Sequence, residues 1–522
     1  MADTRFPPSP GFTVIRYRLG NGLELALLPD PTAPAVAVNL SFQVGSVDEL
    51  PGRTGFAHLF EHLMFQGSAR VAPGEHMSVI EAAGGNVNAF TSTDRTVYHE
   101  CVPTGALEIV LWLEADRLRS LAVTQENLDA QRDVVTQEKR QRYDNRPYGD
   151  LLAGLVGQHF GPRHPYGHLP IGSMKDLAAA SLADVTAFHS RWYRPSHAKL
   201  VICGSLDPDE TIDLVERYFG DLEDLSPPPR ETITESPLPG GVITLTSDVP
   251  HPLLHCSWQA PAADDPDLLA LELGLSVLSD GHASRLHRRL VRERGIAHEV
   301  HGALLGHLRS PSIASLSARP ADGVGTQELA EAILEELAIL DTPSEQELER
   351  AKAQYERGWL LELAAVEDRA EAAADTWTTL GDPALINHRL TDLAAVTPGE
   401  VFRVLASRPA PSQLHYLPKA ASSSVPPSQN PAPGVSRTLP VPPSVRGWDW
   451  RSSTCRDRPW PPLNWCCPPR WRPSHGNWKG WPPWSCTPAT RPPSPCPTSW
   501  RGWSCRGLRC SGAPLGATPG LV

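Results

Sequence analysis

Within the stretch Gly55-Phe56-Ala57-His58-Leu59-Phe60-Glu61-His62-Leu63-Met64-Phe65, two histidines and a glutamate fall within one and a half turns of a predicted helix. On a helix, His58 and His62 stand at i and i+4. Both imidazoles then project from one face and can share one ion, as two zinc ligands must. Glu61 lies one residue short of His62 and flanks the ion without having to bind it, which suits a carboxylate that takes a proton from an activated water. The competing reading is a buried helix that carries two histidines and no ion. The spacing alone leaves both open, and a zinc site needs a third protein ligand in any case.

The order His-x-x-Glu-His is the reversed form of the commoner zinc-peptidase helix, the inverzincin signature. The segment resembles the N-terminal domain of the pitrilysin and insulysin peptidases, which include the mitochondrial processing peptidases. In that family the third ligand is a glutamate well downstream, on a second helix and preceded by a Val-Val pair. The resemblance implies that Glu138, in Gln131-Arg132-Asp133-Val134-Val135-Thr136-Gln137-Glu138, completes a site for one zinc ion per chain with His58 and His62, and that Glu61 is the general base. Gln131, Val134 and Glu138 share one helical face; read by itself, Glu138 is a solvated helix charge. Between the two helices, the stretch from Gly84 to Tyr98 resembles the family's Asn-Ala-x-Thr strand. That likeness implies that Asn88, Ala89, Phe90 and Thr91 form an edge that pairs with the substrate backbone; without it they read as an ordinary hairpin strand. What the resemblance implies, then, is a zinc metalloendopeptidase acting on peptides or small proteins. The alternative is a non-catalytic or truncated peptide-binding subunit of a two-part peptidase.

Two departures bear on that alternative. Relatives whose second-type domain faces the zinc supply an arginine and a tyrosine from a stretch like Leu-Arg-Glu-Glu-x-Gly-Leu-Ala-Tyr. Here Leu290-Val291-Arg292-Glu293-Arg294-Gly295-Ile296-Ala297-His298 puts Val291 and His298 at those positions, with Arg292 one residue away from the first. The resemblance is therefore to the first half of a tandem member, whose site is completed elsewhere: by a second half-enzyme, or by a homodimer partner. Gln131 stands where many relatives carry glutamate. The loop histidines His164 and His168 are given no role.

The elements that must position these residues follow from periodicity and turn chemistry. Phe12–Leu19 and Leu23–Leu28 read as a hairpin around Gly20-Asn21-Gly22, and Ala35–Val44 as a further strand before the His-bearing helix. Leu107–Leu118 is an amphipathic helix, Thr124 caps the helix that carries Glu138, and Leu182–Trp192 is a helix followed by a strand at Ala198–Cys203. After Ser226-Pro227-Pro228-Pro229 the order restarts. Val242–Thr246 and Leu253–Gln259 are strands, and helical runs cover Pro266–Leu278, Gln327–Leu340 and Glu345–Thr378. Thr397-Pro398-Gly399-Glu400 opens a last helix before a strand at Gln413–Leu417. The predicted fold is α+β: two homologous mixed α/β domains, each an antiparallel-rich sheet packed by helices. Residues 11–225 carry the metal site and residues 238–418 lack it, because laying Gly281 over Gly67 sets Glu272, Leu275 and Ser276 opposite His58, Glu61 and His62.

The net charge of −12 divides unevenly: residues 418–522 hold 13 Lys or Arg against 2 Asp or Glu, so the body carries −23 and the tail +11. An acidic body favours basic peptides over nucleic acid. Cys101, Cys203 and Cys256 are scattered and read as reduced thiols. With no charged-then-apolar leader and no apolar run of about eighteen residues, the expectation is a soluble cytoplasmic protein without membrane contact. The tail from 419 to 522 is Pro-, Ser- and Arg-rich, and from Trp448 it holds ten Trp and seven Cys with no Glu or Ile. It reads as disordered low-complexity chain, as a metal-binding module without CxxC spacing, or, the favoured reading, as a shifted frame in GC-rich DNA.

Overall fold

The computed structural model describes residues 11–224, 230, 233 and 241–419; the readings of the tail lie outside the described residues. The first sheet holds β1 (Ile15–Arg18), β2 (Glu24–Pro29), β3 (Ala35–Phe42), β4 (Asn86–Thr91), β5 (Thr96–Pro103) and β6 (Ala198–Gly204). With it come α1 (Phe56–Leu63), α2 (Glu75–Ala82), α3 (Leu107–Ser120), α4 (Gln125–Lys139), α5 (Leu151–His159), α6 (Met174–Ala179), α7 (Leu182–Trp192) and α8 (Pro208–Phe219). The second sheet holds β7 (Val242–Ser247), β8 (Leu253–Ala260), β9 (Ala297–Leu305), β10 (Ser312–Pro320) and β11 (Ser412–Pro418). Its helices are α9 (Leu268–Ser279), α10 (Thr326–Ala338), α11 (Glu345–Glu362), α12 (Val366–Leu380), α13 (Arg389–Ala395) and α14 (Pro398–Ala406).

The two sheets repeat one topology. The first runs β1-β2-β6-β3-β5-β4 and the second β7-β11-β8-β10-β9. In each, the first strand of the repeat pairs in parallel with the last, β2 with β6 and β7 with β11, and the other pairs of the repeat are antiparallel. The mixed α/β architecture expected from the pattern is therefore present, twice.

Alternation along the strands supplies two buried faces to the first sheet. Leu25, Leu27, Val36, Val38, Leu40, Leu200 and Ile202 point into the core shared with α1, α3, α7 and α8. Ala26, Leu28, Ala37, Val201 and Cys203 point the other way, where α12 covers them with Ala370, Ala373, Ala374 and Trp377. Small side chains on both surfaces let that helix lie close to the strands. Polar contacts fix it there: Lys199 Nζ donates to the Trp377 carbonyl at 2.8 Å, and Arg95 Nη2 reaches Asp375 at 2.8 Å.

The exchange is reciprocal. Helix α5 packs on β8 and β11 of the second sheet: Gln158 Nε2 donates to the carbonyls of Gly241 (2.7 Å) and Gln413 (2.9 Å), and His159 Nε2 meets Ser257 Oγ at 2.8 Å. Each sheet is thus backed by a helix from the other half. This corrects the single helical run expected over Glu345–Thr378. The chain breaks between Glu362 and Val366, with Ala365 extended, although Leu363-Ala364-Ala365 contains no helix breaker. α11 packs on its own half and α12 on the other, and one straight helix cannot do both. Among the described residues no helix is long and apolar enough to cross a membrane.

Trp377 is 2% exposed at the centre of this exchange. Trp377→Ala is expected to cost about 3–5 kcal/mol, seen as a lower urea midpoint of the full chain; an unchanged midpoint would show that the exchanged helix adds little.

Candidate metal centre

All eight residues of α1 are buried, including His58, Glu61 and His62. The helix starts at Gly55, whose φ of +94° suits glycine and whose own side chain can cap nothing. The cap comes from Glu49 instead: its Oε2 accepts from the backbone N–H of Gly55 and its Oε1 from that of Ala57, each at 2.8 Å, and His168 Nε2 also lies 2.8 Å from Oε2. Burial pushes the Glu49 carboxyl pKa up, against the opposing effect of His168 and the two N–H groups. Neither Glu49 nor His168 carries a sequence signal for this task, since the cap is supplied from outside the helix.

Opposite α1 lies α4, capped by Thr124 Oγ1, which accepts from Asn127 N at 3.1 Å, and anchored by buried Leu128, Gln131 and Val135. Its last turn brings Glu138 to the two histidines. Glu138 Oε1 is 3.5 Å from His58 Nε2 and Oε2 is 3.2 Å from His62 Nε2, and one ligand atom from each residue lies within 4.8 Å of the others. These separations are at or beyond the long end of N–H···O hydrogen bonds, about 2.7–3.2 Å. Each is close to the roughly 3.3 Å that separates two donor atoms around an ion held by bonds of about 2.0–2.1 Å. Two imidazole nitrogens and a carboxylate are the donor set of a catalytic zinc site, so the residues fit that ion.

Without an ion, these groups shift one another's charge. Burial alone would raise the Glu138 carboxyl, but contact with His58 and His62 holds it well below the usual range. Burial disfavours a charged His58, yet Glu138 and Glu61 outweigh it and its pKa lies above the ordinary value. Arg142, one turn beyond, places Nη1 2.7 Å from Glu138 Oε1.

Glu61 Oε2 lies 4.0 Å from His58 Nε2 and accepts from Thr91 Oγ1 at 2.8 Å. Thr91 is fully buried, so its side chain holds Glu61 and faces no solvent. Ala89 is also buried, whereas Asn88 and Phe90 are half-buried, the latter under the Arg95 guanidinium at 5.3 Å. All four lie on β4, the edge of the first sheet.

In the second half, α9 and α11 stand where α1 and α4 stand in the first. Ser276 Oγ donates to Gln354 Oε1 at 3.2 Å, and Glu272 pairs with Arg389 at 3.1 Å. The positions opposite the histidines are thus occupied by an internally paired network. Val291 packs on the second core, Arg292 is exposed, and exposed His298 sits on edge strand β9 with Nε2 3.3 Å from Asp322.

A family model described as Insulinase (Peptidase family M16) matches residues 24–158, and one described as Peptidase M16 inactive domain matches residues 179–355. Together they take in more than half of the chain. The chain belongs to peptidase family M16. Among M16 relatives, the zinc protease PqqE of Helicobacter pylori is 30% identical over 289 residues, 54% of this chain and 64% of that protein, so the match spans just under two thirds of the relative. A crystal structure of a protease from Helicobacter pylori superposes with a TM-score of 0.71 at 24% identity, covering 78% of this chain and 99% of that one. Pitrilysin superposes at 0.66 with 18% identity, covering 79% of this chain and 46% of that one. The fold described above therefore covers almost all of one solved protease chain and just under half of pitrilysin.

Because Glu49 holds the start of the His-bearing helix, Glu49→Ala is expected to cost about 1–3 kcal/mol. Thermal unfolding of the full chain measures it; an unshifted transition would remove Glu49 from this role.

Proposed function

We propose that this M16 chain is a zinc metalloendopeptidase, with His58, His62 and Glu138 holding the ion and Glu61 as general base. The observation that carries the proposal is the convergence of three donor atoms from α1 and α4, within 4.8 Å of one another, beside a carboxylate fixed by Thr91. The ion, when bound, supplies a Lewis acid that polarises a carbonyl and makes water nucleophilic near neutral pH. Thr91 takes one oxygen of Glu61, which leaves Oε1 to accept a proton from the attacking water and return it to the departing amine. Arg142 and the two histidines keep Glu138 ionised. The outer edge of β4 suits an extended peptide added as a further strand, with Asn88 and Phe90 presented at its surface.

One observation favours a second reading. Val291 and His298 stand where the family resemblance expects an arginine and a tyrosine, groups that would stabilise developing negative charge. A chain lacking them would complete its site with a second half-enzyme or a homodimer partner, or would serve such a partner as a peptide-binding subunit.

Glu61→Gln is expected to lower kcat by at least about 100-fold with bound zinc unchanged by elemental analysis; undiminished peptide hydrolysis would remove Glu61 from the mechanism. If the wild-type chain binds zinc and peptide yet turns over only when mixed with a second half-enzyme, the subunit reading replaces the first.

A further inference from the structure

Behind α1 lies a second cluster that the proposed mechanism does not use. His76 of α2, Glu100 of β5 and Glu114 of α3 are all buried, and one ligand atom from each lies within 4.8 Å of the others. His76 Nε2 is 3.4 Å from Glu114 Oε1 and 3.7 Å from Glu100 Oε1. Among the described residues, four atoms here, His76 Nε2, both oxygens of Glu100 and Glu114 Oε1, have no hydrogen-bond partner. The other Glu114 oxygen is taken by Arg117, whose Nε donates to it at 3.0 Å and whose guanidinium lies 4.2 Å from the Tyr98 ring centre.

Unpartnered polar groups in a dry interior are costly, and an unpaired carboxylate more so. Arg117 supplies one positive charge against two carboxylates, so the cluster needs either a proton or a cation. A shared proton would join one Glu100 oxygen to Glu114 and would still leave the other Glu100 oxygen and His76 Nε2 without a partner among the described residues. The separations instead resemble those among His58, His62 and Glu138: too long for hydrogen bonds and close to the roughly 3.3 Å edge of a tetrahedral zinc site. Three buried side chains, each with one donor atom within 4.8 Å of the others, are as many protein ligands as the first cluster offers.

We propose that His76, Glu100 and Glu114 form a second, structural site for a divalent first-row cation of zinc's type, buried behind the catalytic helix. Its place explains what it would do. Phe65, just past α1, packs edge-on against His76 with centroids 5.5 Å apart, and the Tyr98 hydroxyl donates to the Phe60 carbonyl of α1 at 3.2 Å. A cation tying α2, α3 and β5 together would stiffen the bed on which His58 and His62 rest. Burial and the adjacent Glu114 raise the Glu100 carboxyl pKa.

The test is the metal content of the full chain, expressed with added zinc, desalted, and measured by plasma mass spectrometry across the first-row metals. The wild type is expected to hold two ions per chain, His58→Ala one, Glu100→Gln one, and the double variant none. Glutamine mimics a protonated carboxyl, so in a cluster that merely shares a proton Glu100→Gln leaves metal content unchanged and the melting temperature unchanged or higher. That result overturns the proposal. If Glu100→Gln does not fold, His58→Ala decides: one residual ion supports the second site and none overturns it. Failure of the first site reads differently, as equal metal in wild type and His58→Ala with loss in Glu100→Gln.

Discussion

The structure depends on the burial of one short helix that carries three ionisable side chains. Everything on α1 is inside, and an isolated charge there would cost far more than the helix gains from its apolar residues. Each polar group must therefore find its partner in a remote part of the chain. Glu138 arrives from α4 for the histidines, Thr91 from β4 for Glu61, and Glu49 from the preceding loop for the first N–H groups. The sheet, the second helix and the loop around His168 are positioned by that single requirement.

Among the described residues, the second half brings no three metal-binding side chains together, yet it contributes to the first. Helix α4 holds Glu138, and the chain just beyond it is clasped to the second sheet: the Tyr148 hydroxyl donates to the His251 carbonyl at 2.6 Å, and α5 lies across β8 and β11. In the corresponding pair, α11 stays on its own half and α12 covers the first sheet. Duplication has kept the scaffold and released the chemistry. Where the first copy buries His58 and His62, the second places half-buried Ser276 bonded to Gln354 and half-buried Glu272 paired with Arg389, a set that needs no ion.

Local signals in the chain revealed much of the first layer. Turn glycines, Thr124 and Thr397 as caps, and alternation along Ala35–Val44 are short-range features, and the strands and helices they mark stand close to those bounds. The break at Leu363–Ala365 was not legible, because its residues are good helix formers and only the need to reach the other sheet separates the two helices. Glu49, His168 and the buried cluster of His76, Glu100 and Glu114 were equally silent. Their residues lie 24 and 14 positions apart along the chain for the cluster, with no common periodicity.

Local geometry alone set the chemistry on offer: His58 and His62 share a helical face, and Glu61 flanks it, because a helix fixes i and i+4 without any help from the fold. Spacing could not say that Glu138 would meet them, that Thr91 would turn inward to Glu61, or that α5 and α12 would change places. Those contacts join segments tens to hundreds of residues apart, and only the packing of the sheets and the pairing of buried charges selects them.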